Sequence, residues 1–109
     1  MEQYEDLIRA FHLTWDNFPW PARLIGKNNY VFAVNRAAEA AGSVPGEICA
    51  KIGPPERHRG CKKALALSTQ QAQMDMPAPG KIRVWTPVDG YPDVVVHFSI
   101  TEPEQGSAT

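Results

Sequence analysis

The sequence has few cysteines, no long apolar run and no excess of basic charge. Its two cysteines, Cys49 and Cys61, are too few for a disulfide framework in 109 residues. The formal net charge is -1, and the scattered basic residues do not form the stripe that a nucleic-acid-binding protein carries. The acidic N-terminus lacks the features of a signal peptide. We therefore expect a cytoplasmic protein with no nucleic-acid partner and no membrane insertion.

Motifs of the common catalytic sites are also missing. The sequence contains no Gly-x-Ser-x-Gly, no phosphate-binding glycine loop and no His-Glu-x-x-His. The acidic residues Asp75, Asp89 and Asp93 fall in predicted strands or turns without an evident partner base. We therefore predict no catalytic residue and expect that the chain is not an enzyme.

The length and composition predict one folded domain with short extensions. A hydrophobic fraction of 43% in 109 residues is enough for a single core. We expect an N-terminal amphipathic helix over residues 1–18, a core domain over residues 19–101 and a flexible tail over residues 102–109. The apolar stripe of the first helix follows helical spacing and consists of Tyr4, Leu7, Ile8, Phe11 and Trp15.

The first half of the core predicts a hairpin followed by a short helix. Strands are predicted over residues 22–25 and 30–34, and the asparagines between them tolerate the left-handed backbone of a turn. Asn35 is placed to cap a helix over residues 36–41, which Gly42 would end. Residues 43–55 are predicted to form a loop.

The second half predicts one longer helix and three strands. The helix spans about residues 56–69, and its expected buried stripe consists of Cys61, Ala64, Leu65 and Ser68. In the next strand Ala72, Met74 and Met76 alternate with polar residues, which predicts that these three are buried. Asp89-Gly90 predicts a hairpin between the last two strands, the second of which contains residues 94–100. Trp85 breaks the alternation of its strand.

This order of elements predicts an α+β fold. We expect a five-stranded antiparallel sheet with helices on one face, together with the N-terminal amphipathic helix. Val95, His97 and Ser99 share one face of the final strand, opposite Val94, Val96 and Phe98. We expect the stripe of the first helix to cover the His97 face, either from the same chain or from a partner.

Several short segments strengthen this interpretation. Asp16-Asn17-Phe18-Pro19 has the acidic-x-x-proline pattern before the first strand, and Asn35 is followed by Ala37 and Ala38. Further short segments in the same order along the chain are Gly42 and Gly46, the following Ile48-Cys49 and the Asp89-Gly90 hairpin. Over about residues 15–101 the sequence resembles the PAS domain. It departs from many members in the first hairpin turn, where Asn28-Asn29 replaces Asp-Gly.

The resemblance implies a sensory domain of bacterial signal transduction, as in two-component systems. PAS domains hold haem, flavin, another chromophore, a carboxylic acid or nothing in a small cavity, so the cofactor is unknown. They commonly pair through an N-terminal helix, which would make the stripe from Tyr4 to Trp15 a homodimer face. They also pass a signal to an output domain such as a histidine kinase. Candidate residues for a ligand pocket are Cys49, Leu65, Met74, Val96 and Phe98.

Two alternatives remain open. A core filled by side chains would make the chain a ligand-free protein-interaction module. Reversible oxidation of Cys49 and Cys61 would make it a thiol redox sensor. His58 lies three residues before Cys61, but a closed zinc site needs four ligands and the sequence supplies no second pair, so no metal site is predicted.

Overall fold

A computed structural model describes residues 4–46 and 61–101 of the chain. The elements in these two ranges are, in chain order, α1 (Glu5–Trp15), β1 (Ala22–Ile25), a 3₁₀ turn (Lys27–Asn29), β2 (Val31–Val34), α2 (Arg36–Ala40), α3 (Lys63–Thr69), β3 (Gln73–Ala78), β4 (Lys81–Val88) and β5 (Tyr91–Thr101). No helix in the described ranges is both long enough and apolar enough to span a membrane.

The strands form one five-stranded antiparallel sheet in the order β2-β1-β5-β4-β3. The last strand of the chain is therefore the central one, with β1 on one side and β4 on the other. Gly90 has a φ of 86° in the turn between β4 and β5, as the Asp-Gly hairpin signal predicts. The predicted α+β fold is confirmed.

Helices cover both faces of the sheet. On one face, which we call the α1 face, Leu7 and Phe11 pack against buried residues of β1, β2 and β5. On the other, which we call the α3 face, Ala38 of α2 and Ala66 of α3 pack against Trp85 and its neighbours. The side chains of β5 alternate between these layers, so this one strand contributes to both halves of the core.

The position of α1 corrects one prediction. The stripe of α1 was expected to cover Val95 and His97, but it packs on the opposite face, where Val94 and Val96 lie. Val95 instead packs beneath the other helices beside Trp85, which is only 1% exposed. The indole of Trp85 is buried on the α3 face. Trp85 breaks the alternation of β4 because this second face of the sheet is also covered by helices.

Asn35 joins three segments at the start of the sheet and is fully buried. Its side-chain oxygen accepts hydrogen bonds from the amides of Ala22 and Ala38, each at 2.9 Å. The second of these bonds caps α2, as predicted. Its side-chain nitrogen donates to the backbone carbonyls of Trp15 (3.0 Å) and Trp20 (2.9 Å). One side chain thus fixes the end of α1, the start of β1 and the start of α2.

Helix α3 differs from its prediction in its start and in its buried side. It begins at Lys63, and Cys61 precedes it as an exposed, non-helical residue. Ala66 is fully buried and Leu67 packs partly against the core. The residues expected to be buried are exposed, namely Cys61, Ala64, Leu65 and Ser68. Residues 56–60, where the helix was predicted to begin, lie outside the described residues.

The side chains of strand β3 face the opposite way from the prediction. Met74 and Met76 are 61% and 63% exposed, and Ala72, expected to be buried with them, is exposed before the strand. Gln73 and Asp75 are the partly buried residues, because Asp75 pairs with Arg83 of β4 on the α3 face.

The two outer strands of the sheet are interrupted in different ways. On the β2 side, the amide of Gly46 donates a hydrogen bond to the carbonyl of Val31 at 2.8 Å. On the β3 side, Pro77 lies within the strand and has no amide hydrogen to donate.

Candidate functional site

A row of polar and aromatic side chains crosses the α3 face of the sheet. His97 on β5 is paired with Arg23 of β1 on one side and with Trp85 of β4 on the other. Directly paired residues of antiparallel strands have their side chains on the same face and close together. The topology therefore brings together residues that are more than 60 positions apart in the sequence.

The aromatic part of this row is a stack. The rings of Trp85 and His97 are nearly parallel, at 8°, with centroids 4.7 Å apart. The guanidinium carbon of Arg83 lies 5.2 Å from the centre of the Trp85 ring, within the range of a cation–π interaction. Arg83 is oriented by Asp75, whose Oδ1 accepts from Nε at 2.9 Å and whose Oδ2 accepts from an Nη. This hydrogen bond from Arg83 is the main cause that lowers the pKa of Asp75.

His97 is a neutral imidazole with a defined tautomer. Its Nδ1 lies 2.8 Å from the carbonyl oxygen of Val84, and a carbonyl only accepts, so Nδ1 carries the hydrogen. Burial is the main cause that lowers the pKa of His97 to about 4. The hydrogen bond to Val84 acts against this shift, and the positive charges of Arg23 and Arg83 add to it. Within the described part of the chain Nε2 makes no hydrogen bond, so it is an available acceptor.

A pocket of about 280 Å³ opens beside His97, where β1 begins and β5 ends. Arg23 forms one side of it, and its Nε and an Nη donate to the hydroxyl of Ser43 at 3.1 and 2.8 Å. Ser43 is buried at the turn after α2, although it is a polar residue. The remaining described lining residues are Trp20, Pro21, Ala41, Gly42, Lys81, Phe98, Ser99 and Thr101.

Strand β5 separates this pocket from α1. Phe98 borders the pocket, and its ring packs on the α1 face against Trp15 and Phe18, with centroids 5.3 Å away in both cases. Trp15 is the last residue of α1. The ring of Phe98 therefore contacts the last residue of α1.

No protein-family model and no curated protein matches the sequence. Among solved structures, the PAS domain from Bordetella pertussis BvgS is similar, with a TM-score of 0.70 over 95% of this chain and 92% of that one. The two sequences are 15% identical over the match. This chain has a PAS-like fold.

The PAS-like domain places the predicted pocket residues in different environments. Phe98 borders the pocket, while Val96 is buried under α1 on the other face. Leu65 and Met74 are 46% and 61% exposed and do not line the pocket beside His97, so their role in a ligand pocket stays a prediction. Both residues are exposed because α3 and β3 direct toward the core the side chains opposite to those that were predicted to be buried. Cys49 lies outside the described residues.

Apart from Phe98, the described residues that form the pocket were not among the predicted pocket residues. Arg23, Ser43 and Lys81 come from separate parts of the chain, and only the pairing of β1 with β5 and of β5 with β4 brings them to His97. His97 itself was assigned to a partly apolar outer face. Its local sequence, in the alternating strand Val94 to Ile100, gives no indication of the arginine beside it.

The metal and thiol hypotheses rest on residues that are only partly described. Among residues 4–46 and 61–101, no three His, Cys, Asp or Glu side chains cluster as a metal site would require. Cys61 is a free, exposed cysteine. Cys49 and His58 lie outside the described residues, so the redox pair of Cys49 and Cys61 stays a prediction.

Proposed function

We propose that this PAS-like domain is a sensory module of bacterial signal transduction that binds a small molecule in the pocket beside His97. The observation that carries the proposal is the double role of Phe98, which borders the pocket while its ring packs against Trp15. A sensor needs a site for its signal and a mechanical connection to an output element. Both requirements would be met by the two faces of β5.

In the proposed mechanism, occupancy of the pocket biases the position of α1. A ligand that contacts the end of β5 favours one arrangement of this strand over another, and the free energy of that preference is the signal. Because the aromatic cluster of Trp15, Phe18 and Phe98 is closely packed, a small shift of the strand would move the end of the helix. The domain itself would carry out no catalysis.

The proposed output is a change in how α1 meets a partner. The apolar stripe of α1 is occupied by its own sheet, so a second copy of the chain or an output domain such as a histidine kinase would contact the outward side. Leu13 lies there and is 83% exposed. We propose a homodimer that uses this outward side of α1, with the output domain in the same protein or in a partner.

A fragment screen on the full-length chain tests the proposal. The ¹⁵N-labelled protein would be titrated with mixtures of small compounds while the amides of Ser43 and Ser99 and the indole N–H of Trp15 are monitored by NMR. We expect that compounds which shift the two pocket amides also shift the Trp15 indole. Binding that moves the pocket amides and leaves Trp15 unchanged would contradict the signalling route.

A variant that fills the pocket supplies the control. Ser99→Phe places a large ring among the pocket residues, whereas Ser68→Phe adds the same ring on the exposed side of α3. We expect Ser99→Phe to abolish the coupled shifts and Ser68→Phe to preserve them. If no compound of any class shifts the pocket amides of the unmodified protein, the ligand-free interaction module is the better explanation.

A further inference from the structure

A second pocket lies on the α1 face of the sheet, at the start of β5. It has a volume of about 210 Å³ and is formed by the start of α1 and the turn between β4 and β5. We call it the Tyr91 cleft, and its described lining residues are Tyr4, Gly90, Tyr91, Pro92, Asp93 and Val94. Ser99, which borders the pocket beside His97, lies eight residues further along β5. At 3.3 Å per residue, Ser99 is roughly 26 Å from Tyr91 along the strand.

Two walls of the Tyr91 cleft are aromatic. The rings of Tyr4 and Tyr91 have centroids 6.1 Å apart and are tilted by 39°. Tyr4 also stacks on Phe32 of β2, with centroids 4.5 Å apart and an angle of 28°. Both tyrosines are partly buried and pack against the core of the α1 face. This packing holds two aromatic rings beside the cleft before any ligand binds, and the faces of such rings attract cations.

The charge beside these rings is negative. Asp93 is an exposed lining residue, and among residues 4–46 and 61–101 it has no hydrogen bond and no ion pair. None of the described lining residues is Lys, Arg or His. Asp89 precedes the cleft in the hairpin turn, Glu5 follows Tyr4 in α1, and both carboxylates are exposed. The electrostatic potential in the cleft therefore favours a positive group.

The backbone that positions Asp93 is fixed on both sides. Gly90 has a φ of 86° in the turn that starts the cleft. The carbonyl of Pro92 accepts a hydrogen bond from the side-chain amide of Gln70 at 3.2 Å, and the proline ring restricts its own backbone. Val94 is 1% exposed in the core. A ligand at the cleft would therefore have to order little of the protein when it binds.

We propose that the Tyr91 cleft binds an organic ammonium group, with the cation against the rings of Tyr4 and Tyr91 and near the carboxylate of Asp93. An ammonium nitrogen that carries methyl groups or an alkyl chain suits both the aromatic rings and the acidic side chain. A small free compound and a lysine side chain of another protein both supply this group. The inference goes beyond the proposed function, because the cleft lies on the other face of the sheet and shares no described lining residue with the pocket beside His97.

Two pairs of probes separate charge from shape. Choline is compared with neohexanol, in which a carbon atom replaces the charged nitrogen. N-acetyl-lysine methylamide, which represents a protein side chain, is compared with N-acetyl-norleucine methylamide. Each is titrated into the ¹⁵N-labelled full chain at constant ionic strength while the amides of Gly90, Tyr91 and Asp93 are monitored by NMR. We expect at least one cation to bind about fivefold more tightly than its neutral counterpart. The cation that binds more tightly identifies the source of the ammonium group.

Substitutions locate the interaction within the cleft. Asp93→Asn removes a charge with little change of shape and is expected to weaken cation binding several-fold. Asp89→Asn removes the same charge from a turn residue that does not line the cleft, and its effect should be smaller. Tyr91→Leu is expected to weaken cation binding several-fold and to leave binding of the neutral counterpart nearly unchanged. Because Asp93 is exposed, its variant tests the proposal even if Tyr91→Leu disturbs the packing against Tyr4.

Three results would overturn the assignment. If neither cation shifts the three amides, or neither binds more tightly than its neutral counterpart, the cleft does not recognise ammonium groups. If Asp93→Asn and Asp89→Asn weaken binding equally, the effect is a general attraction to a negative surface. If folded Tyr91→Leu binds the cation as tightly as the unmodified protein, the aromatic wall plays no part. The proposed function is tested separately, because its ligand is detected at the amides of Ser43 and Ser99.

Discussion

Trp15 at the end of α1 and Phe98 near the end of β5 pack with ring centroids 5.3 Å apart. This contact connects the helix to the strand that borders the pocket. Trp15→Ala removes the larger ring from a partly buried site and is expected to lower the free energy of unfolding by about 2 kcal/mol. Trp15→Phe should retain most of the free energy of unfolding that Trp15→Ala loses. Urea denaturation measures both values, with Leu13→Ala on the exposed side of α1 as control.

The same pair of residues should also affect ligand binding. If α1 and the pocket are coupled, Trp15→Ala changes the affinity of a pocket ligand although Trp15 is not a lining residue. Leu13→Ala should leave the affinity unchanged. Equal affinities in Trp15→Ala and the unmodified protein would show that the helix does not respond to the pocket.

Replacing the buried amide of Asn35 by a carboxylate should destabilise the fold. Asn35→Asp retains the oxygen that accepts from Ala22 and Ala38, but it directs a second oxygen at the carbonyls of Trp15 and Trp20. We expect a loss of about 3 kcal/mol at pH 7, because a buried donor becomes an unpaired charge.

Thermal and urea unfolding measure this loss, and a second asparagine provides the comparison. Asn17 is exposed, and its Oδ1 accepts from Arg36 at 3.1 Å. Asn17→Asp preserves that acceptor and should change stability by less than about 0.5 kcal/mol. If the two variants are equally stable, the donor role of the Asn35 amide is wrong.

His97 predicts a loss of stability in mild acid. Its folded pKa of about 4 lies below the ordinary value of 6.5, so between these pH values the unfolded chain binds a proton that the folded protein does not. Stability therefore falls as the pH drops through this window, by an amount on the order of 3 kcal/mol. The carboxyl of Asp75 contributes below this window, because its pKa is lowered from 3.8.

A variant without the imidazole isolates this effect. His97→Phe keeps an aromatic ring against Trp85 but has no proton to bind in this range. The variant loses the hydrogen bond to Val84, so its stability should be lower at pH 7.5 and depend less on pH down to 4.5. Urea denaturation at each pH measures the free energy of unfolding. If this free energy changes with pH equally in the two proteins, His97 is not the cause of the pH dependence.

The ion pair between Asp75 and Arg83 should contribute more than an ion pair at the surface. The two side chains are 20% and 11% exposed and form a two-pronged contact between β3 and β4. A double-mutant cycle with Asp75→Asn and Arg83→Lys is expected to give a coupling free energy of about 1 kcal/mol. Asp6 and Arg9, at 3.8 Å and largely exposed, should show no measurable coupling.

Local chemistry predicted the parts of the fold that depend on neighbouring residues. The cap at Asn35, the left-handed turn at Asn28 and Asn29, and the hairpin at Gly90 are all confirmed. Each depends on side-chain or backbone properties within a few residues of the feature itself. The same is true of the apolar stripe of α1, which packs against the sheet as one face.

The choice between the two faces of the sheet could not be predicted in this way. Alternation separates the residues of β3 into two sets, and nothing within the strand shows that Asp75 faces inward to meet Arg83 eight residues later. The pocket depends on pairings across the whole chain, since Arg23 reaches His97 only when β5 inserts between β1 and β4. Sequence spacing contains no information about that insertion.

The two interrupted outer strands have a consequence for the behaviour of the protein at high concentration. An exposed strand edge is a template on which another chain can add a strand, and this pairing initiates aggregation. Here the carbonyl of Val31 on β2 is already bonded to Gly46, and Pro77 leaves a gap in the donors of β3. Neither outer strand presents an uninterrupted row of free backbone hydrogen-bonding groups. We therefore expect the domain to resist aggregation through edge-to-edge strand pairing.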